Sequence, residues 1–167
     1  AIHFRAKHEG RFQSRSVHTV YGIDAQGQRD VLGLYLFDNE GASNWARVLE
    51  DVRSRGVETV LFVCVDGLEG FSQAIGSVFP QAIVQRCIVH MVRSSTKLVA
   101  DKDMKTLCAD LRKVYTAATE DQARLALEAF GHKWDQKYGR IRPKWEAAWP
   151  ELMTFMHFNQ HIRRMIY

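Results

Sequence analysis

The sequence has little of what marks a secreted or membrane protein. Three of its 167 residues are cysteines, an odd number whose spacing does not suggest a disulfide framework. No apolar run approaches the roughly 20 residues that cross a bilayer, and no basic segment followed by an apolar one begins the chain. These features exclude a disulfide-stapled domain, and they predict a cytoplasmic protein with no membrane partner.

The balance of charge differs between the two halves of the chain. Residues 1–80 carry 8 Lys or Arg against 10 Asp or Glu, whereas residues 81–167 carry 15 against 9. A positive surface favours a polyanionic partner, because cations that contact phosphates release condensed counterions. The alternative is an ordinary solvated helical surface. The chain opens on Ala1 rather than Met and begins in a strand pattern, so we expect it to be a piece of a longer protein.

Hydrophobic periodicity predicts a series of strands and helices. Three strands come first, then a helix that Ser43 caps, a strand, a helix that Pro80 ends, and a fifth strand. From Met91 onward the apolar spacing is helical throughout. The predicted strands are residues 2–7, 16–23, 31–37, 59–65 and 82–89.

This order of elements is typical of one α/β architecture. It predicts a ribonuclease H-like mixed five-stranded sheet with flanking helices, followed by an all-helical region. The predicted domains are a partial core over residues 1–90 and the helical region over residues 91–167. Fold alone does not establish the chemistry.

Two polar motifs follow the last two predicted strands. Asp66-Gly67 ends the apolar strand 59–65, and Cys87-x-x-His90 closes the strand 82–89. In open α/β sheets, functional sites lie at the carboxyl ends of the strands. A structural alternative is that Asp66 caps a helix that begins near Leu68.

Several segments, taken in order, resemble the Mutator-type bacterial insertion-sequence transposases. The resemblance covers essentially the whole chain. It implies an Asp-Asp-Glu metal triad on a ribonuclease H-like core that a helical insertion interrupts. The segments are residues 30–34, 64–71, 78–81, 85–90 and 162–167.

The resemblance assigns roles to the two polar motifs. Asp66 corresponds to the second Asp of the triad and is the expected ligand of Mg²⁺ or Mn²⁺, and Gly67 belongs to the same motif. Cys87 and His90 form the family's Cys-x-x-His signature. The implied reaction is metal-dependent DNA strand cleavage and strand transfer, without a covalent protein intermediate.

One feature of the family pattern is missing from this sequence. The first Asp would lie immediately before Ala1 and the Glu shortly after Tyr167, so one of three metal ligands is present. Affinity for Mg²⁺ depends on several oxygen ligands. We therefore expect the chain alone to be unable to cleave DNA.

Cys87 and His90 admit two interpretations. In the first, Cys87 is a core residue and His90 forms a hydrogen bond near the catalytic carboxylates or the scissile phosphate. The second is a structural zinc site, which requires four ligands. Cys64 is the only nearby candidate for a third ligand, so the sequence favours the first interpretation.

Basic residues of the second half are candidates for contacts with DNA phosphates. The expected partner is double-stranded DNA, both element ends and target, bound by an oligomer. The tryptophans of this half have helical spacing and are predicted to be core. The basic candidates are Arg93, Lys97, Arg140, Arg142, Lys144, Arg163 and Arg164.

Two other functions remain open from the sequence. The first is a non-catalytic nucleic-acid-binding domain of the same fold, in which Asp66 only caps a helix. The second, an unrelated α/β ligand-binding module, is disfavoured because no Gly-rich phosphate loop follows a strand.

Overall fold

A computed structural model describes residues 2–8, 10–37, 41–67 and 70–166 of the chain. Ala1, Glu9, residues 38–40, Leu68, Glu69 and Tyr167 lie outside the described residues. None of the helices in the described ranges combines the length and the apolar character needed to cross a membrane. The strands are β1 (Ile2–His8), β2 (Arg11–Ile23), β3 (Arg29–Phe37), β4 (Phe62–Val65) and β5 (Ile83–Arg86).

The helices of the described residues are concentrated in the second half of the chain. Two of them precede β5, and the others follow it without a further strand in the described part. They are α1 (Ala42–Ser54), α2 (Phe71–Val78), α3 (Ile88–Thr96), α4 (Asp101–Tyr115), α5 (Glu120–Tyr138), α6 (Ile141–Ala147), α7 (Trp149–Leu152), a 3-10 helix (Thr154–His157) and α8 (Gln160–Ile166).

The described strands form two sheets where the sequence predicts one. Strands β1, β2 and β3 form an antiparallel sheet in that order, whereas β4 and β5 form a parallel pair. The mixed α/β class and the three-stranded meander are confirmed. The joined five-stranded sheet stays a prediction.

The chain divides into two compact units, which we describe separately. The first comprises Ala1–Val63 and Leu68–Ala82, and the second comprises Cys64–Gly67 and Ile83–Tyr167. The predicted division at residue 90 is not tested by this partition and stays a prediction.

The first unit has a small aromatic core around α1. The Trp45 ring stacks on the Phe71 ring, with centroids 4.5 Å apart. His18 is buried, contacts the Trp45 ring, and lies within hydrogen-bond distance of Ser16, with Nε2 and Oγ 2.8 Å apart. Gly41, not Ser43, occupies the cap position of α1. The predicted Ser43 cap is therefore wrong, because the helix begins two residues earlier than the apolar spacing indicates.

The second unit has a larger core, which the helices from α3 onward build. Leu107, Leu111 and Val114 of α4 are fully buried, as their spacing predicts. Trp145 and Phe155 are also fully buried, and Trp134 and Trp149 are nearly so. The prediction that these tryptophans are core residues is confirmed.

Both predicted central strands are shorter in the structure. Strand β4 begins only at Phe62, and the preceding Leu61 is 68% exposed. Strand β5 ends at Arg86, and α3 begins at Ile88, whose side chain is buried in the helical core. A short apolar run does not distinguish a strand from the first turn of a buried helix. The prediction that Ile88 and Val89 belong to the strand is therefore wrong.

The side chain of Gln85 joins β5 to the end of the helical core. It is fully buried, and its Nε2 donates to the carbonyl oxygens of Leu152 (2.9 Å) and Arg86 (2.8 Å). Its Oε1 accepts from the backbone N–H of Phe155 at 2.9 Å. A buried polar group is tolerated when its hydrogen bonds are made, and each of these bonds has acceptable length.

Asp110 joins α4 to α5. Its carboxylate accepts from Lys113 (2.8 Å), Lys133 (2.7 Å) and the Trp134 indole (3.1 Å). Burial raises the pKa of Asp110, but the three hydrogen bonds outweigh it and lower the pKa to about 2. The charged carboxylate therefore stabilises the folded state.

We predict that Gln85→Leu destabilises the protein by about 2–4 kcal/mol, because it removes the buried hydrogen bonds that Gln85 makes to the Phe155 N–H and the Leu152 carbonyl. Urea unfolding followed by circular dichroism measures this change. Gln136→Leu, at an exposed position of α5, is the control and should change stability by less than about 0.5 kcal/mol. Equal effects of the two substitutions would contradict the role of Gln85.

We predict that Asp110→Asn lowers stability at pH 7 by about 1–2 kcal/mol. Because the folded pKa lies below the ordinary value, this contribution is present above about pH 4 and is lost as the pH falls toward 2. Unfolding measured across this range should converge for wild type and variant at the acid end. Glu128→Gln, at an exposed position of α5, should leave the pH profile unchanged.

Candidate functional site

The two polar motifs meet at the carboxyl ends of the paired strands β4 and β5. Val65, the last residue of β4, is buried, and Asp66 directly after it is exposed. The carbonyl of Val65 accepts from the backbone N–H of Cys87 at 2.7 Å. The structure thus places Asp66 beside the start of the Cys87-x-x-His90 motif.

Asp66 is not the cap residue of α2. The cap position of α2 is occupied by Gly70, whose φ is +76°, and no side chain supplies a capping hydrogen bond there. The helix start near Leu68 that the cap interpretation of Asp66 assumes lies outside the described residues, so that interpretation is not tested there.

Arg86 is a neighbour of Asp66 that the sequence analysis did not select. Its guanidinium lies against Gly67, where it takes up the space that a Cβ would need. It also forms an ion pair with Glu151 at 3.3 Å. Gly67 has a φ of +87°, in the region that favours glycine. The glycine therefore permits both the turn after β4 and the approach of Arg86.

The Cys-x-x-His motif lies at the beginning of α3. Cys87 is half-buried and occupies the cap position, and His90 is the third residue of the helix and is exposed. Cys64, in β4, is exposed. Desolvation, together with the nearby Cys87, raises the pKa of its thiol to about 11.

The described residues do not assemble a metal site by themselves. They contain no group of three or more His, Cys, Asp or Glu side chains placed to hold an ion. Neither zinc on Cys87 and His90 nor Mg²⁺ on Asp66 fits these residues alone, because both ions need several ligands. No catalytic step through a metal follows from these residues.

The side chain of Lys144 contacts helix α3. Its ammonium group donates to the hydroxyl of Ser94 at 2.7 Å. Burial lowers the pKa of Lys144, and the positive charges of Arg86 and Lys97 lower it further.

Two of the predicted DNA-binding residues have structural partners. Arg142 pairs with Asp135 (2.7 Å) and Glu146 (3.2 Å). Arg163 donates to three backbone carbonyls, those of Phe158, Ala118 and Met156. A phosphate would have to compete with these interactions.

The other predicted basic residues are exposed. Arg93 and Lys97 lie on and just after α3, Arg140 at the cap position of α6, and Arg164 in α8. On α3, His90, Arg93 and Lys97 follow helical spacing and so share a face. Contacts of these residues with DNA stay a prediction.

Comparison with known proteins gives a consistent result along the whole chain. Residues 1–167 match the family model described as "Transposase, Mutator family". The chain is 39% identical to a transposase for insertion sequence element ISRM3 of Rhizobium meliloti, and 40% identical to a probable ISRM3-like transposase of Sinorhizobium fredii. It is also 39% identical to a probable insertion-sequence transposase of Corynebacterium diphtheriae. All of the chain aligns in each case, and it spans 42%, 42% and 49% of these relatives.

We predict that Gly67→Ala lowers the free energy of unfolding more than Gly10→Ala does, because the new Cβ at Gly67 also displaces the Arg86 guanidinium. The backbone strain should cost about 1–2 kcal/mol in either variant. Gly10→Ala is a matched control, since Gly10 has a φ of +79° and nothing within 4 Å of the new Cβ. Urea unfolding measures both changes. Equal losses of stability in the two variants would contradict the importance of the contact between Gly67 and Arg86.

Proposed function

The chain belongs to the Mutator family of transposases, and from this premise we propose that it is the Asp66-bearing part of a transposase catalytic domain. The complete protein would perform metal-dependent DNA strand cleavage and strand transfer. The observation that carries the proposal is the position of Asp66. It directly follows β4 beside the Cys87 motif, and Gly70 rather than Asp66 occupies the cap position of α2.

Asp66 is proposed as one carboxylate of an Asp-Asp-Glu set. The described residues offer too few ligands for Mg²⁺ or Mn²⁺, so the first Asp and the Glu would come from outside these 167 residues. The length of the relatives supports this arrangement, since the chain spans less than half of each of the three named. By the same proposal, residues 1–90 belong to a ribonuclease H-like core with a five-stranded sheet, and residues 91–167 form a helical insertion.

The side chains around Asp66 have proposed roles in holding DNA. His90 is exposed at the first turn of α3, where its imidazole could donate a hydrogen bond to a phosphate oxygen. Arg93, Lys97, Lys144, Arg140 and Arg164 would neutralise backbone phosphates. Cys87 is half-buried and is proposed as a packing residue.

The proposed partner is double-stranded DNA, as element ends and as target. Joining two ends to a target requires at least two active sites, so we propose an oligomer on DNA. The bacterial cytoplasm, at the nucleoid, is the proposed location. The competing function, a non-catalytic nucleic-acid-binding domain, predicts DNA binding that does not depend on Asp66 and an absence of strand cleavage.

We predict that Asp66→Asn in the full-length protein lowers cleavage at the element ends by about 100-fold or more, because a metal ligand is worth several kcal/mol in the transition state. Duplex binding should be retained. The control is Asp121→Asn, at an exposed position of α5, which should cleave like wild type. Cleavage is measured on end-labelled DNA with and without Mg²⁺. Full activity of Asp66→Asn would rule out its proposed role, and a wild-type protein that binds but never cleaves would favour the competing function.

A further inference from the structure

The hairpin of β1 and β2 extends beyond the rest of its sheet. Strand β1 pairs with β2 over its whole length, whereas among the described residues β3 pairs with β2 only over Ser16–Ile23. The five pairs beyond β3, from Phe4 opposite Arg15 onward, form a two-stranded ribbon of residues 4–8 and 11–15, which we call the β1–β2 ribbon. At about 3.4 Å per residue, the ribbon is about 17 Å long.

The ribbon carries positive charge that the rest of the first half of the chain lacks. Residues 4–15 contain 4 Lys or Arg against 1 Asp or Glu, whereas residues 16–80 contain 4 against 9. The net negative charge of the first half therefore conceals a basic hairpin, which attracts polyanions. The cations of the hairpin are Arg5, Lys7, Arg11 and Arg15, and its acidic residue is Glu9.

An exposed aromatic ring lies next to two of these cations. The Phe12 side chain is 65% exposed, and Lys7 lies directly opposite it in the register of the two strands. Residues opposite each other in a sheet share a face. The guanidinium carbon of Arg5 lies 5.6 Å from the centre of the Phe12 ring, in a cation–π contact. One face of the ribbon thus presents an apolar ring beside two positive charges.

The charges on this face are accessible to an external anion. The side chains of Arg5, Lys7 and Arg11 are exposed, as is Ser14 opposite Arg5. Among the described residues, no carboxylate forms an ion pair with any of these three cations. The ribbon therefore combines exposed cations with an exposed ring, the two kinds of group that contact phosphates and bases.

We propose that the β1–β2 ribbon binds in the major groove of the DNA duplex. This inference rests on the proposed function, because it takes DNA as the partner. The major groove is about 12 Å wide and admits a two-stranded β-ribbon. A ribbon of about 17 Å covers about five base pairs at about 3.4 Å each. Phe12 would contact base edges such as the thymine methyl group, and Arg5 and Lys7 would contact backbone phosphates.

The first test removes the two charges beside Phe12 in the full-length protein. Affinity of the double variant Arg5→Gln, Lys7→Gln for a fluorescein-labelled duplex is measured by anisotropy over a series of KCl concentrations. The slope of log K against log[KCl] should fall in magnitude by about 1.8, or about 0.9 for each phosphate contact. The control double variant Lys102→Gln, Lys105→Gln, at exposed positions of α4, should keep the wild-type slope. An unchanged slope in the ribbon variant would overturn the proposal.

The second test removes the aromatic ring. Phe12→Ser should weaken duplex binding by about fivefold or more and leave the salt slope unchanged, because the lost contact is not ionic. Tyr21→Ser is the matched control, since Tyr21 is 67% exposed on the same strand but outside the ribbon. It should bind within about twofold of wild type. Circular dichroism verifies that each variant is folded. Wild-type affinity in Phe12→Ser would refute the base contact.

The third test identifies the groove. In a duplex of alternating adenine and 5-bromouracil, the bromine takes the position of the thymine C5-methyl group, in the major groove. Ultraviolet irradiation of wild type on this duplex should cross-link the peptide that contains Phe12, which mass spectrometry detects. Cross-links to other peptides alone would place the ribbon outside the major groove and overturn the proposal.

The outcomes distinguish failure of this proposal from failure of the proposed function. If wild type binds and cleaves DNA, but the ribbon variants keep the wild-type slope and affinity and the ribbon is not cross-linked, the ribbon site fails and the proposed function stands. If wild type binds no duplex, both fail.

Discussion

The buried carboxamide of Gln85 holds strand β5 to the end of the helical core, and the neighbouring side chains depend on it for their positions. Its three hydrogen bonds reach Arg86, Leu152 and Phe155, the last two about 70 residues away along the chain. A polar side chain at the centre of a core tolerates few alternative arrangements, because each unpaired group costs free energy. The amide therefore fixes where β5 ends, and with it the start of α3.

The chain changes from strand β5 to helix α3 at Cys87, and this change places the residues of the candidate site. The backbone of Cys87 is still extended and donates to Val65, whereas Ile88 already begins α3 and is buried among the helices. In this way one residue couples the end of β4, where Asp66 lies, to the exposed face of α3. The left-handed turn at Gly67 leaves room for Arg86 on the same side.

The cations of the second unit differ in the partners that the protein itself gives them. Arg142 and Arg163 satisfy carboxylates or backbone carbonyls of the protein itself. Lys144, an exposed residue of α6, donates instead to the hydroxyl of Ser94. Net charge and helical spacing do not separate these cases, because the partner of a long flexible side chain is chosen by tertiary contacts. The sequence does not indicate Arg86 as a site residue either, because Arg86 lies at the end of a strand pattern and belongs to no periodic set of basic residues.

The sequence by itself determined the class of the fold, the order of the elements, the apolar faces of α4 and the two polar motifs, because periodicity and turn residues act locally. The family was also recognisable from short segments, and the comparisons confirm it. Only the tertiary structure decided that Gly70 occupies the cap position of α2, that β5 stops at Arg86 and that Lys144 contacts Ser94 of α3. These features depend on contacts between residues far apart in the chain, where core packing and buried hydrogen bonds outweigh local preference.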